Sequence, residues 1–144
     1  MNYPLQKQPQ LHLNPRNIIL IILALIFIIV MARVVRAEEI NDNFAIKAII
    51  GEAANQGYQG MLAVAVGIRN RGVLQGVYGL KAKHIDKEPQ WVWTMARKAW
   101  KESKYNRIHS GTHWENIKAF GKPYWLKNVV LVYQYKNHNF YKVK

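Results

Sequence analysis

The chain begins with one unbroken apolar run and only afterwards settles into periodic patterns. From Ile18 to Ala32, fifteen residues carry neither charge nor polar side chain, with Lys7 and Arg16 before them and Arg33 and Arg36 after. A helix of this kind has no face for water, which predicts a membrane-directed segment rather than a core element. Fifteen residues suit the apolar part of a signal peptide and fall short of the roughly 17 to 25 that a spanning helix needs. Val35-Arg36-Ala37 resembles a signal-peptidase site and predicts cleavage after Ala37. The competing reading is an uncleaved anchor, with the Arg33 and Arg36 stems reaching to the interface. Both readings make residues 1–37 a signal peptide or membrane anchor. Both export residues 38–144 to the periplasm, the cell wall or the exterior.

Beyond Ala37 the pattern becomes helical and then extended. Asn41-Asp42-Asn43 offers caps, and Ile46, Ile49, Ile50 and Ala53 follow at i, i+3, i+4 and i+7, one face of a helix that should stop by Gly57. Gln59 to Arg71 predicts a second helix with Leu62, Ala65 and Val66 on its apolar face, closed by Gly72. In it, Ala63, Ala65 and Gly67 are small enough to let another element approach closely. Gly72, Gly76 and Gly79 mark a loop. Glu88-Pro89 opens a third helix to about Ser103, with Trp93, Ala96 and Trp100 as its apolar stripe and Arg97, Lys98, Lys101 and Lys104 facing out. Between Val129 and Val143 the residues alternate and are rich in Val and Tyr, which predicts strands. The domain is therefore α+β: helices first, a small antiparallel sheet last, all preceded by the N-terminal apolar helix.

Composition narrows the class. Of 144 residues, 50% are hydrophobic and only 20% charged, which excludes a disordered polybasic chain and permits a packed core. The lack of cysteine excludes a disulfide framework, a zinc ribbon, an iron–sulfur centre and a thiol nucleophile. The net charge is +13, and residues 38–144 alone hold 17 basic and 8 acidic residues, leaving +9. That field favours polyanions. For an exported chain the accessible polyanion is the cell envelope, and nucleic acid is not expected.

The eight acids are few enough to take singly. Glu38, Glu39 and Asp42 fall at a helix start, where the dipole favours them. Asp86 and Glu88 precede Pro89 as expected caps, and Glu102, four residues after Lys98, belongs to a solvated face. Glu52 and Glu115 remain, each among apolar or aromatic neighbours. Glu52 ends the first helix, where the dipole disfavours a carboxylate, and a carboxyl that keeps its proton is what general acid catalysis requires. The alternative is a structural Glu52 bonded to backbone or to Arg69. His113, Trp114, Glu115 and Asn116 mix hydrogen-bonding groups with a stacking surface on what reads as a strand or its rim. The five histidines show no His-Glu-x-x-His pattern, so no metal or other cofactor is expected. Walker-type and Gly-x-Ser-x-Gly motifs are absent as well.

Gly51-Glu52-Ala53, then Tyr58, Gly60, Ala63-Val64-Ala65-Val66 and Arg69-Asn70-Arg71, resemble the opening of the SleB-like cell-wall hydrolases, which include the spore-cortex lytic enzymes. Gly111-Thr112-His113-Trp114 and His138-Asn139-Phe140-Tyr141 resemble that family's later blocks, so the likeness spans about residues 44–141. Two features depart from it: Gln56 and Gly57 stand where many members have glutamate and proline, and the usual glutamine-phenylalanine segment is not evident. The resemblance implies a lysozyme-like fold of the lytic transglycosylase type that cleaves peptidoglycan glycan strands, with Glu52 as catalytic acid; a monomer is expected. Tyr58, Thr112, His113, Trp114, Glu115, Asn116 and Tyr141 are the accompanying candidates for substrate contact, with Tyr124 and Trp125 as further cleft residues. A noncatalytic envelope-binding module is the rival reading, and a basic nucleic-acid-binding protein a weaker one.

Overall fold

The computed structural model describes residues 14–35 and 40–144; the expected cleavage site after Ala37, with Glu38 and Glu39, lies outside them. The chain divides into two compact units, residues 1–37 and 38–144. The first holds helix α1, Pro15–Val35. The large side chains from Ile18 to Ile28 along it are exposed. Among the described residues, no helix is long and apolar enough to cross a membrane.

The second unit is α+β and carries the core. Helix α2 spans Asp42–Ala53, and the Asn41 side chain caps it by accepting from the backbone N–H groups of Asn43 and Phe44. Its expected apolar face is buried, joined by Ala45 and Ala48. Helix α3 spans Gly57–Arg71 and ends at Gly72, whose φ of 76° closes the last turn with an N–H bond to the Ile68 carbonyl. Every residue from Gly60 to Ile68 is buried, so α3 has no polar face, contrary to the one-sided stripe that its sequence suggests. The reason is its position: it packs against α2, against the helix of Gln90–Glu102 and against the sheet.

Helix α4, Gln90–Glu102, buries Val92, Ala96, Ala99 and Trp100, while Trp93 is half-buried and the four predicted basic residues are exposed. Neither Asp86 nor Glu88 caps it. The cap position is Pro89, whose carbonyl accepts from Val92 N–H, while Asp86 instead pairs with Lys47 at 4.0 Å on the surface. Two further acids are more engaged than a solvated role allows. Asp42 accepts from the Trp100 indole at 2.6 Å, tying α2 to α4, and Glu102 accepts from the Tyr58 hydroxyl and from Asn106. On the same indole, Arg69 stacks 3.6 Å over the Trp100 ring and donates to the Trp100 carbonyl and the Ser103 hydroxyl, closing α3 onto α4.

Gly72–Gly79 is a loop only in part, because Tyr78–Lys81 forms a short 3₁₀ helix packed on α2. The sheet holds strands β1 (His113–Glu115), β2 (Val129–Tyr135) and β3 (His138–Val143), all antiparallel in the order β1-β3-β2. The hairpin turns through Lys136 at φ 47°, and β2 is irregular between Leu131 and Tyr133. Phe140 of β3 enters the helical core fully buried. Val130, Leu131 and Val132 of the edge strand β2 are exposed, with Lys142 directly opposite Val130. Between β1 and β2 lie helix α5, Ile117–Phe120, and a 3₁₀ turn over Tyr124–Asn128.

Candidate active site

Glu52 occupies the last turn of α2 at the base of a cleft of about 1090 Å³. The cleft is bounded on one side by α2 and its neighbouring turns, and on the other by β1 and the segment after it. Each carboxylate oxygen accepts one hydrogen bond: Oε1 from the Gly79 backbone N–H at 2.6 Å, Oε2 from the Trp114 indole Nε1–H at 3.2 Å. Both donors are neutral, and each oxygen retains a lone pair for a proton.

The backbone makes the first of these bonds possible. A Cβ on Gly51 would overlap the Gly79 carbonyl, and one on Gly79 would fall 2.7 Å from the Ala48 carbonyl and 2.8 Å from Glu52 N. Two glycines therefore let the 3₁₀ helix lie directly on α2, close enough for a main-chain N–H to reach the side chain. The second bond rests on α3. A Cβ on Gly67 would meet the Trp114 ring at 3.0 Å, so the small residues of that helix provide the seat for the indole, and Phe140 flanks it at 6.3 Å. Of the close approach expected at Ala63, Ala65 and Gly67, the one at Gly67 is that of this tryptophan.

The approach to β1 is fixed by a buried histidine. His109 donates from Nε2 to the Ala63 carbonyl at 2.9 Å and accepts at Nδ1 from Gly111 N–H at 3.0 Å, which specifies one neutral tautomer. Burial holds its pKa below the ordinary imidazole value. Asn70 donates to the carbonyls of His109 and Gly111 and accepts from Arg107, so the Arg69-Asn70-Arg71 block serves architecture at its first two positions. Arg71 lines the cleft.

The sequence candidates divide. Glu52, His113, Trp114, Glu115, Asn116, Tyr124 and Trp125 line one cleft. His113 shares a hydrogen bond with Thr112 Oγ1 at 2.9 Å and lies 5.3 Å from the Trp125 ring; burial, then the charge of Arg71, lowers its pKa. Glu115 accepts from the N–H of Asn116, and the Asn116 side chain caps α5 by accepting from Ala119 N–H. Tyr58, Thr112 and Tyr141, expected as substrate contacts, lie outside this lining. Tyr58 faces α4, where burial and the bond to Glu102 push its pKa up to about 12. Thr112 bonds the Tyr141 carbonyl, and the buried Tyr141 ring stands edge-on behind Trp125 at 5.6 Å.

Four exposed aromatics form a rim that sequence reasoning placed only in part. Tyr78, Trp91, Phe120 and Tyr124 line the cleft while 80, 61, 79 and 90% exposed. Rings left so open around one cavity offer apolar faces to a ligand. Trp91 carried a usable signal, since it stands off the Trp93–Ala96–Trp100 stripe in the first turn of an otherwise polar face. Gly79 carried none that local pattern could expose. Among the described residues, no group of three or more His, Asp or Glu is placed to hold a metal. No protein-family model matches the chain, and no curated protein and no solved structure matches it.

Proposed function

We propose that this chain cleaves peptidoglycan glycan strands between N-acetylmuramic acid and N-acetylglucosamine, as a lysozyme-like lytic transglycosylase of the SleB-like type. The observation that carries the reading is Glu52 itself: one half-buried carboxyl group, fixed by two neutral donors, opening into a cleft rimmed by exposed aromatic rings. A binding module that had lost turnover would be expected to bury and ion-pair this residue; here no cation reaches it among the described residues. The +9 of residues 38–144 favours an anionic envelope as the surface on which the domain works, and residues 18–32 are the segment that directs it there.

In the proposed reaction Glu52 gives its proton to the bridging oxygen as the bond from that oxygen to the muramic C1 breaks through an oxocarbenium-like state. The resulting Glu52 carboxylate then takes the proton of the muramic 6-hydroxyl. That oxygen attacks C1, closing a 1,6-anhydro ring and restoring the acid without water or cofactor. Gly79 and Trp114 hold the carboxyl group through both proton transfers. Glu115 in the same cleft favours one second reading, two-carboxylate hydrolysis with Glu115 as partner.

Mass spectrometry of purified peptidoglycan digested by the wild type, Glu52→Gln and Glu115→Gln proteins tests both. Anhydro ends are expected from the wild type, with Glu52→Gln reducing turnover by about 10²- to 10⁴-fold and Glu115→Gln by much less. Reducing ends and equal losses would establish the hydrolase, and near-wild-type activity of Glu52→Gln would remove the acid and the reading built on it.

A further inference from the structure

The side of the sheet away from the cleft carries an apolar patch on an open strand edge. No residue of β2 lines the cleft, which β1 bounds on the other side of β3. Among the described residues the β2 backbone bonds to β3 and to no other element, so its outer N–H and C=O groups are unpaired. Val130, Leu131 and Val132 are 45, 54 and 36% exposed, and Val143, opposite Val129 at the end of β3, is 55% exposed. Adjacent apolar side chains beside unpaired strand amides form a surface that proteins usually cover or use.

The charge around the patch selects what covers it. Residues 116–144 hold six lysines and neither aspartate nor glutamate. Three of these lysines stand exposed at the same end of the sheet as the valines. Lys142 lies across the ladder from Val130, the Lys144 N–H bonds the Asn128 carbonyl, and Lys144 Nζ donates to the Lys127 carbonyl at 3.1 Å. None of the three has a carboxylate partner among the described residues. A second copy of this chain would set the same lysines against them. A bare polyanion would answer the charge and leave the amides and valines uncovered. The slip in register between Leu131 and Tyr133 interrupts the ladder, so the regular stretch beside the lysines is Val129–Leu131, which suits a short strand.

We propose that this end of β2 takes a short extended segment of another protein, with acidic and apolar residues alternating, as a fourth strand of the sheet. The main chain of that segment pairs with the outer N–H and C=O groups of β2, which supplies affinity without regard to sequence. Its two faces supply selection: apolar side chains lie beside the exposed valines and Leu131, and carboxylates meet Lys127, Lys142 and Lys144. Because β2 stands clear of the cleft, such a partner holds the domain while leaving Glu52 open.

The test titrates full-length protein, in a neutral detergent at low salt, with three short synthetic peptides: alternating glutamate and valine, alternating lysine and valine, and glutamate alone. The glutamate–valine peptide should bind at least about tenfold tighter than either of the others, and its binding should slow hydrogen exchange at β2 while β1 is unchanged. Lys127→Glu, Lys142→Glu and Lys144→Glu together change only exposed side chains, and they should turn the preference toward the lysine–valine peptide. Equal binding of the all-glutamate peptide, or binding without protection of β2, would mark a general polyanion surface and overturn the added strand. Binding of none of the peptides overturns it as well, as does a preference that survives the triple substitution. Protection of β2 that grows with protein concentration in the absence of peptide would assign the edge to a second copy instead.

Discussion

The two walls of the cleft hold the same carboxyl group by opposite means. On the helical side, main chain lies on main chain: Gly51 against Gly79, with no side chain between them, and a backbone N–H on Glu52 Oε1. On the sheet side, ring lies on ring: Trp114 over Gly67 beside Phe140, His109 stacked on Tyr133 at 5.2 Å, His113 near Trp125. A backbone contact has no rotamer to change, whereas an aromatic cluster can redistribute small shifts among several χ angles. The helical wall therefore sets where the Glu52 carboxyl group stands. On the proposed reading, the sheet wall sets what can lie across it.

The contrast is broken most directly at Gly51→Ala. The new Cβ meets the Gly79 carbonyl, neither side being a flexible chain end, and the 3₁₀ helix must lift from α2. Overpacking of this kind costs about 1–3 kcal/mol. Moving the Gly79 N–H away from Oε1 misplaces the acid, for which a loss of about 10²-fold in kcat is expected alongside a lower Tm. Activity within threefold of wild type would show that the backbone contact does not place Glu52.

Trp114→Phe probes the other wall more gently. It keeps a ring against Gly67 and removes only the Nε1–H from Glu52 Oε2. At 3.2 Å that bond lies at the long end of its range, so a loss of about tenfold in kcat with little change in Tm is expected. A fall as large as that of Gly51→Ala would put the two walls on an equal footing.

The smallest effect concerns acid. His109, His113 and His138 all belong to the sheet wall or its approach, and burial holds each below the usual imidazole value of 6.5. α2 and α3 contain no histidine. Below about pH 6.5 the unfolded chain binds more protons than the folded one, so the stability that neutral histidines contribute is complete above that pH and declines as pH falls through it. Hydrogen exchange between pH 7 and pH 5, corrected for intrinsic rates, should show protection lost at β1 and β3 before α2. Simultaneous loss, or loss led by α2, would mean that the walls unfold as one cooperative unit.

What was legible in the sequence follows how far apart the partners lie. The Asn41 cap, the buried face of Ile46, Ile49 and Ile50, and the closing Gly72 all act within a turn or two of themselves and could be read off. Glu52 emerged by elimination and by resemblance, but its donors lie 27 and 62 residues away, and no local pattern specifies Gly79 as one of them. The misreadings have the same origin. Asp42 reads only as a helix-start acid and Glu102 as solvated until Trp100 and Tyr58 arrive from 58 and 44 residues away, and the second of those contacts also draws Tyr58 away from the cleft. Helix α3 reads as one-sided because its own residues cannot show that neighbours pack against it on more than one side.

The outer margin of β2 governs how this domain behaves among copies of itself. Val130, Leu131 and Val132 lie bare on an edge strand whose unpaired amides could template another chain, and Lys127, Lys136, Lys142 and Lys144 stand at its ends and on the neighbouring strand. Two such edges meeting side by side would bring eight ammonium groups together, so at low ionic strength charge repulsion opposes that pairing. That guard is electrolyte-dependent, since the screening length shrinks from about 10 Å at 0.1 M salt to about 3 Å at 1 M. Concentrated salt, commonly added to keep basic proteins in solution, is the condition in which this one loses its protection against ribbon-like association.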